Sequence, residues 1–311
     1  MTRYIIRRLL YSIIVLFGVT LLVFFTLRLS GDPVQLLLRE GNPTPEDIEA
    51  LREALRLDRP LYQQYFSFIG NAVTGDFGKS LRYKTPAFNE VMSRMPATIT
   101  LAVAAYLFAL LVAIPTGILS AVRRGGFTDF ASRLVSLAGL SIPSFWLGLM
   151  LILVFGVKLK WLPVSGRGEG FAGRLEALVL PAVSLGMIYA GTLTRLLRSS
   201  MLEVLNTDYI RTARSKGLQE RLVLTRHALR NALIPVVTLA GLQIGFLLGG
   251  AVVIEVVFSW PGVGRLVVDS INNRDYPVVQ AAVTILAVVL IASSLIVDIL
   301  YSVIDPRIRY S

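Results

Sequence analysis

The chain has 311 residues, 54% of them apolar, and a net charge of +11 from 31 Lys and Arg against 20 Asp and Glu. So apolar a composition leaves little polar surface to face water, which argues against a soluble fold. With no cysteine and a single histidine, His227, the chain has no disulfides, no thiol chemistry and no Cys/His metal cluster.

Six stretches carry no Asp, Glu, Lys or Arg: 9–27, 95–122, 134–157, 177–194, 231–254 and 276–297. A helix needs about 20 apolar residues to cross ~30 Å of hydrocarbon, so the expected fold is an all-α integral membrane protein with six transmembrane helices. Arg3, Arg7 and Arg8 precede the first run as in a signal peptide, but no small-residue cleavage site follows Leu27. The run reads as an uncleaved first helix.

Between the first two runs, Thr44-Pro45-Glu46-Asp47 forms a helix start, and Ile48, Leu51 and Leu55 continue it at helical spacing to about Leu57. Asp58-Arg59-Pro60 ends that helix, and Tyr62, Tyr65, Phe66 and Ile69 line a second apolar face before a turn at Gly75-Asp76-Phe77-Gly78. This loop either caps the bundle, lies on the membrane, covers a channel mouth or meets an external protein. Gly78-Lys79-Ser80 resembles the end of a phosphate-binding loop, but the pattern needs a glycine where Val73 stands.

Pro115, Pro143, Pro181 and Pro235 each remove a backbone hydrogen bond within a run, so each is a candidate kink, mobile or structural. The fourth run spans only if Glu176 and Arg195 sit at the interfaces and snorkel. In the fifth, Gly241, Gly245 and Gly249 put a small surface on one helix face, extended by Gly250. That face suits packing within the chain, a subunit interface or a flexing gate. Gln243 is the most polar side chain well inside a run; it either makes an interhelical hydrogen bond or touches solute. Glu255, Asp275 and Asp298 mark run ends, so no ionisable group stands at the midplane for ion coupling.

Orientation follows from charge. The N-terminus, loop 123–133, segment 195–230 and the C-terminal tail together hold sixteen Lys and Arg but six acids. Basic short loops stay in the cytoplasm, so both termini are expected inside, while the long 28–94 segment translocates despite its nine basic residues. Topology thus accounts for nearly all the net charge, leaving no basic patch for nucleic acid.

The inside segment holds Asp208-Tyr209-Ile210-Arg211-Thr212-Ala213-Arg214-Ser215-Lys216-Gly217-Leu218. Asn206, Thr207 or Asp208 caps a helix running to Lys216, Gly217 ends it in the left-handed conformation, and a second short helix follows through His227. Here the chain resembles the membrane subunits of bacterial ATP-binding cassette importers, with Arg211 where a glutamate is usual. The variant form is similar to the peptide, nickel and glutathione branch, as are Arg226 through Ala232 and Pro235. The likeness covers nearly the whole chain, through Gly31-Asp32-Pro33, Leu57 through Tyr62, Gly75 through Gly78, Ser141 through Phe145, Phe258 through Gly262, Arg274 through Pro277 and Asp305-Pro306-Arg307.

That resemblance implies a type I importer permease fold with a cytoplasmic coupling-helix loop, in the bacterial inner membrane. It implies partners: a second homologous permease, two cytoplasmic ATPases and an external solute-binding protein, with surrounding lipid. ATP and magnesium belong to the ATPases, with no cofactor in this chain, no enzymatic activity and no nucleic acid bound. Asp208 through Leu218 would dock on an ATPase, where Ala213 and Gly217 leave room for its surface and Arg211, Arg214 and Lys216 favour an acidic groove. The expected organisation is a first helix and external loop over 1–94, a five-helix permease core over 95–300 and a cytoplasmic tail over 301–311. A stand-alone secondary transporter or channel is the alternative.

Overall fold

The computed structural model describes residues 2–29, 46, 49 and 58–304. Apart from Glu46 and Glu49, both helical, the helix expected over 44–57 lies outside the described residues, as do Gly31-Asp32-Pro33 and Asp305-Pro306-Arg307. Five helices among the described residues are long and apolar enough to cross a membrane, and a sharply bent pair makes a sixth candidate span. The described residues divide into two compact units, one formed by those up to Ala97 with Pro261–Leu295, the other by Thr98–Trp260 with residues 296–304.

In the first unit, α1 (Thr2–Leu29) packs on α2 (Leu61–Val73). Pro60 stands at the start of α2, where its missing N–H costs nothing, and its carbonyl accepts from the Gln63 and Gln64 amides. The buried Tyr65 donates its hydroxyl to the Phe17 carbonyl at 3.2 Å and meets the Phe17 and Phe24 rings edge-on. Phe77, Val91 and Met95 share a core with Val263 and Leu266 of α9 (Val263–Asn272) and Val278, Ala281 and Ala282 of α10 (Tyr276–Ile304). The Gly78-Lys79-Ser80 stretch is a structural latch: Asp275, 1% exposed, accepts from the Ser80 hydroxyl at 2.5 Å and the Leu81 amide at 3.1 Å. Asp275 is therefore a buried anchor within this unit.

In the second unit, α6 (Gly170–Leu205) is the most enclosed long helix. It runs unbroken past Glu176, Pro181 and Arg195, well beyond the apolar 177–194 run. Close approach to its neighbours depends on small residues. A Cβ on Gly191 would lie 2.7 Å from the Ser136 carbonyl of α4 (Phe127–Ser141), and one on Gly186 would strike the Ala105 carbonyl of α3 (Ala87–Val122). The third apolar run is not a straight helix. It breaks at Ile142-Pro143, and α4 meets α5 (Ser144–Lys158) at 108°. Proline disfavours the helical conformation in the residue before it, and Ile142 is extended at φ −88°, ψ 122°.

Candidate functional site

The elbow at 208–218 begins where α6 ends. Thr207 is extended at the start of α7 (Asp208–Ser215), but its hydroxyl bonds back to the Val204 carbonyl at 2.6 Å instead of capping. Asp208 sits in the first turn, where a negative charge suits the helix dipole, and lies 3.4 Å from Arg211, both exposed. Gly217 closes α7 at φ +75°. Its amide donates to the Arg214 carbonyl at 2.9 Å and the Leu218 amide to the Ala213 carbonyl at 3.4 Å, the paired bonds of a left-handed helix terminus. α8 (Glu220–Val257) follows as one long helix, widened into π turns over Val223–Leu229. The second arm of the elbow is thus the start of a span, not the short separate helix expected.

Three contacts fix the elbow. Arg214 forks onto Glu220, Nε to Oε2 at 3.1 Å and a terminal nitrogen to Oε1 at 2.7 Å, and that carboxylate holds the guanidinium above its usual pKa. The Asn231 amide donates to the Tyr209 hydroxyl at 2.9 Å, joining the two sequence motifs directly. Ile210 and Ala213 turn inward with Val223, Ala228 and Ala232, all buried in one cluster.

This packing corrects one expectation. Ala213 is 7% exposed, so the room its small side chain leaves is taken by the chain's own cluster rather than by a neighbouring protein. Every residue from Asp208 to Leu218 except Ile210 and Ala213 is exposed. A Cβ on Gly217 would meet nothing within 4 Å. Arg214 is exposed but committed to Glu220, so Arg211 and Lys216 are the freer cations of the motif.

The α8 residues form a separate group. Gly241, Gln243 and Gly245 are half-buried and Gly249 is exposed, with nothing within 4 Å of a Cβ placed on it. It is Gly250 that faces α6, where an added Cβ would lie 3.2 Å from the Leu185 side chain. The Gln243 side-chain oxygen is buried without a hydrogen-bond partner, so the interhelical bond is not made through that atom. Pro235 is exposed within a continuous helix, whereas Pro143 ends one. Glu255 is fully buried and accepts from the Thr98 hydroxyl at 2.6 Å.

A further cluster was not singled out from the sequence. Asp129, 1% exposed, takes a forked contact from Arg198, at 2.7 Å and 3.1 Å, the Ser120 hydroxyl at 2.6 Å and the Gly125 amide at 3.0 Å. It locks the α3–α4 turn onto α6 near the elbow in sequence. Ser80, the last residue of the stretch that resembles a phosphate-binding loop, is committed to Asp275, and no cluster of His, Asp or Glu able to hold a metal occurs among the described residues.

Apolar spans, a broken third span and a basic elbow describe a polytopic membrane protein. The family described as binding-protein-dependent transport system inner membrane component matches residues 113–310, and the N-terminal region of the same kind of component matches residues 1–102. The chain is 44% identical to the di/tripeptide transport system permease protein DppB of Pseudomonas aeruginosa (strain UCBPP-PA14), covering 100% of this chain and 99% of that one. It is 45% identical to the glutathione transport system permease protein GsiC of Escherichia coli (strain K12), covering all of both. Among solved structures, the inward-facing MetNI methionine ABC transporter aligns with a TM-score of 0.56 at 19% identity, over 70% of this chain and 96% of that one. An amino acid ABC transporter aligns at 0.52 and 14%, over 71% and 94%. The chain belongs to the family of inner-membrane permeases of binding-protein-dependent ATP-binding cassette importers.

Proposed function

We propose that this permease forms half of a pathway for peptides or a related small solute such as glutathione. The observation that carries this reading is full-length identity of 44–45% to permeases named for di/tripeptides and for glutathione. A second homologous permease completes the pathway, an external binding protein delivers the solute, and two cytoplasmic ATPases hold the ATP and magnesium. Both termini lie in the cytoplasm, as the bias of Lys and Arg favours. Residues 1–94 supply the first span and external loop, 95–300 the permease core and 301–311 the tail.

In this reading the outward face of the elbow, from Asp208 to Leu218, docks on an ATPase. Arg211 and Lys216 attract an acidic rim, Gly217 admits close approach, and the buried Ile210 and Ala213 together with the exposed Tyr209–Asn231 hydrogen bond hold the elbow stiff on α8. ATP-driven closure of the ATPases then shifts the two permeases between inward- and outward-open states. The open side of Gly249, with Gly241, Gln243 and Gly245 on the same helix, is offered to the second permease or the solute path.

Reconstitution tests this. Proteoliposomes holding both permeases, the ATPases and a solute-loaded binding protein should accumulate a dipeptide or glutathione on adding ATP. Uphill uptake by this chain alone, driven by a proton or sodium gradient, would overturn the reading.

A further inference from the structure

A cavity of about 310 Å³ opens between α4 and α6. Arg133, Arg195 and Arg198 line it with Ser132, and Leu137 and Leu140 add apolar surface. Its size is at the lower end for small-ligand sites, ~300–1,000 Å³. Two of the three guanidinium groups share one carboxylate, since Asp129 takes a forked contact from Arg198 and lies 3.6 Å from Arg133. Arg195 has no acid partner among the described residues, and its side chain is exposed. The site therefore carries an uncompensated positive charge beside an apolar surface.

We propose that this cleft binds the phosphate of an anionic phospholipid, with Arg195 and Arg133 on the phosphate and the acyl chain along Leu137 and Leu140. Arg195 marks the polar end of the fourth apolar run, the level at which a span meets headgroups. Basic pockets between transmembrane helices recognise anionic headgroups through charge-assisted hydrogen bonds, and arginine's fork matches phosphate geometry. The exposed Leu137 distinguishes this site from one built for a free anion, which has no use for an apolar wall open to the surroundings. The cleft lies wholly within one unit, so it is formed by this chain alone. The proposal rests on the membrane placement of α4 and α6 and not on the docking role of the elbow, so either can fail without the other.

Native mass spectrometry of the full chain in detergent tests it, with phosphatidylglycerol, phosphatidylcholine of the same acyl chains and inorganic phosphate as probes. Phosphatidylglycerol should be retained in preference to phosphatidylcholine. The double variant R133Q/R195Q should weaken that binding roughly 30-fold, from two interfacial cations, while R133K/R195K should keep most of it. R195Q alone, expected to lose roughly 5-fold, stands in if the double variant does not elute as a folded protein. Equal retention of both lipids, or unchanged binding in R195Q and R133Q/R195Q, would refute the proposal. Displacement of phosphatidylglycerol by inorganic phosphate at similar concentration would assign the site to a free anion and overturn the lipid assignment.

Discussion

Gly217 separates two costs that a single substitution usually mixes. Its φ of +75° strains any L side chain, but a Cβ there meets no atom of this chain within 4 Å. Substitution by alanine should therefore destabilise the purified chain by about 1 kcal/mol through backbone strain alone, and asparagine, which tolerates the left-handed region, by less. The amide bonds from Gly217 and Leu218 to the Arg214 and Ala213 carbonyls can persist in both variants, so the elbow keeps its shape. If an ATPase surface rests against Gly217, even the asparagine side chain stands in its way, and coupling falls far more than stability does. The assay pairs a denaturation midpoint of the chain in detergent with solute-stimulated ATPase activity of the assembled importer. A G217N protein that keeps both wild-type stability and full stimulation would remove Gly217 from the docking surface.

Two further outcomes follow from the geometry. R198Q should cost about 3 kcal/mol because it leaves the Asp129 carboxylate buried without its main cation, and D129N/R198Q should regain at least half of that; additive losses in denaturant titrations would show that the pair is not coupled. In this cysteine-free chain, Glu169→Cys should react with an impermeant thiol reagent from outside intact cells and Ser215→Cys only from inside, and external labelling of Ser215→Cys would invert the topology. Glu169 serves better than its neighbour Gly168, where φ is +70° and the Gly173 carbonyl crowds any Cβ.

The spans and the elbow were legible because they rest on local signals: charge-free runs, a basic flank and a glycine where a helix must end. Pro143 was not separable from the other three prolines, since Pro115, Pro181 and Pro235 sit within continuous helices and only Pro143 ends one. Proline permits the break at each of the four positions, and at Pro143 it coincides with both α4 and α5 packing on α6. The glycine spacing in α8 drew attention to a face that Gly249 leaves open, while the tight helix contacts lie on α6. A signal for the one at Gly186 was present, since Ala182, Gly186, Ala190 and Thr194 recur every four residues and all are buried, but only one of the four is glycine. The Asp129–Arg198 pair joins residues 69 positions apart, and nothing in either neighbourhood names the other. Ala213 was read as room for a partner because a small residue in an exposed motif carries no sign of which way it faces.

The unbroken course of α8 has a mechanical side. Its 38 residues from Glu220 to Val257 make a rod of roughly 57 Å at 1.5 Å per residue, with the elbow bonded to one end through Tyr209, Ala213 and Arg214. A sideways displacement of about 2 Å at the elbow tilts such a rod by only about 2° if it pivots at its far end, and by twice that about its midpoint. Pivoting at the midpoint carries the Gly249 region in the opposite direction to the elbow. Under such a pivot the helix would be a lever, short strokes at the elbow becoming reversed strokes near Gly249.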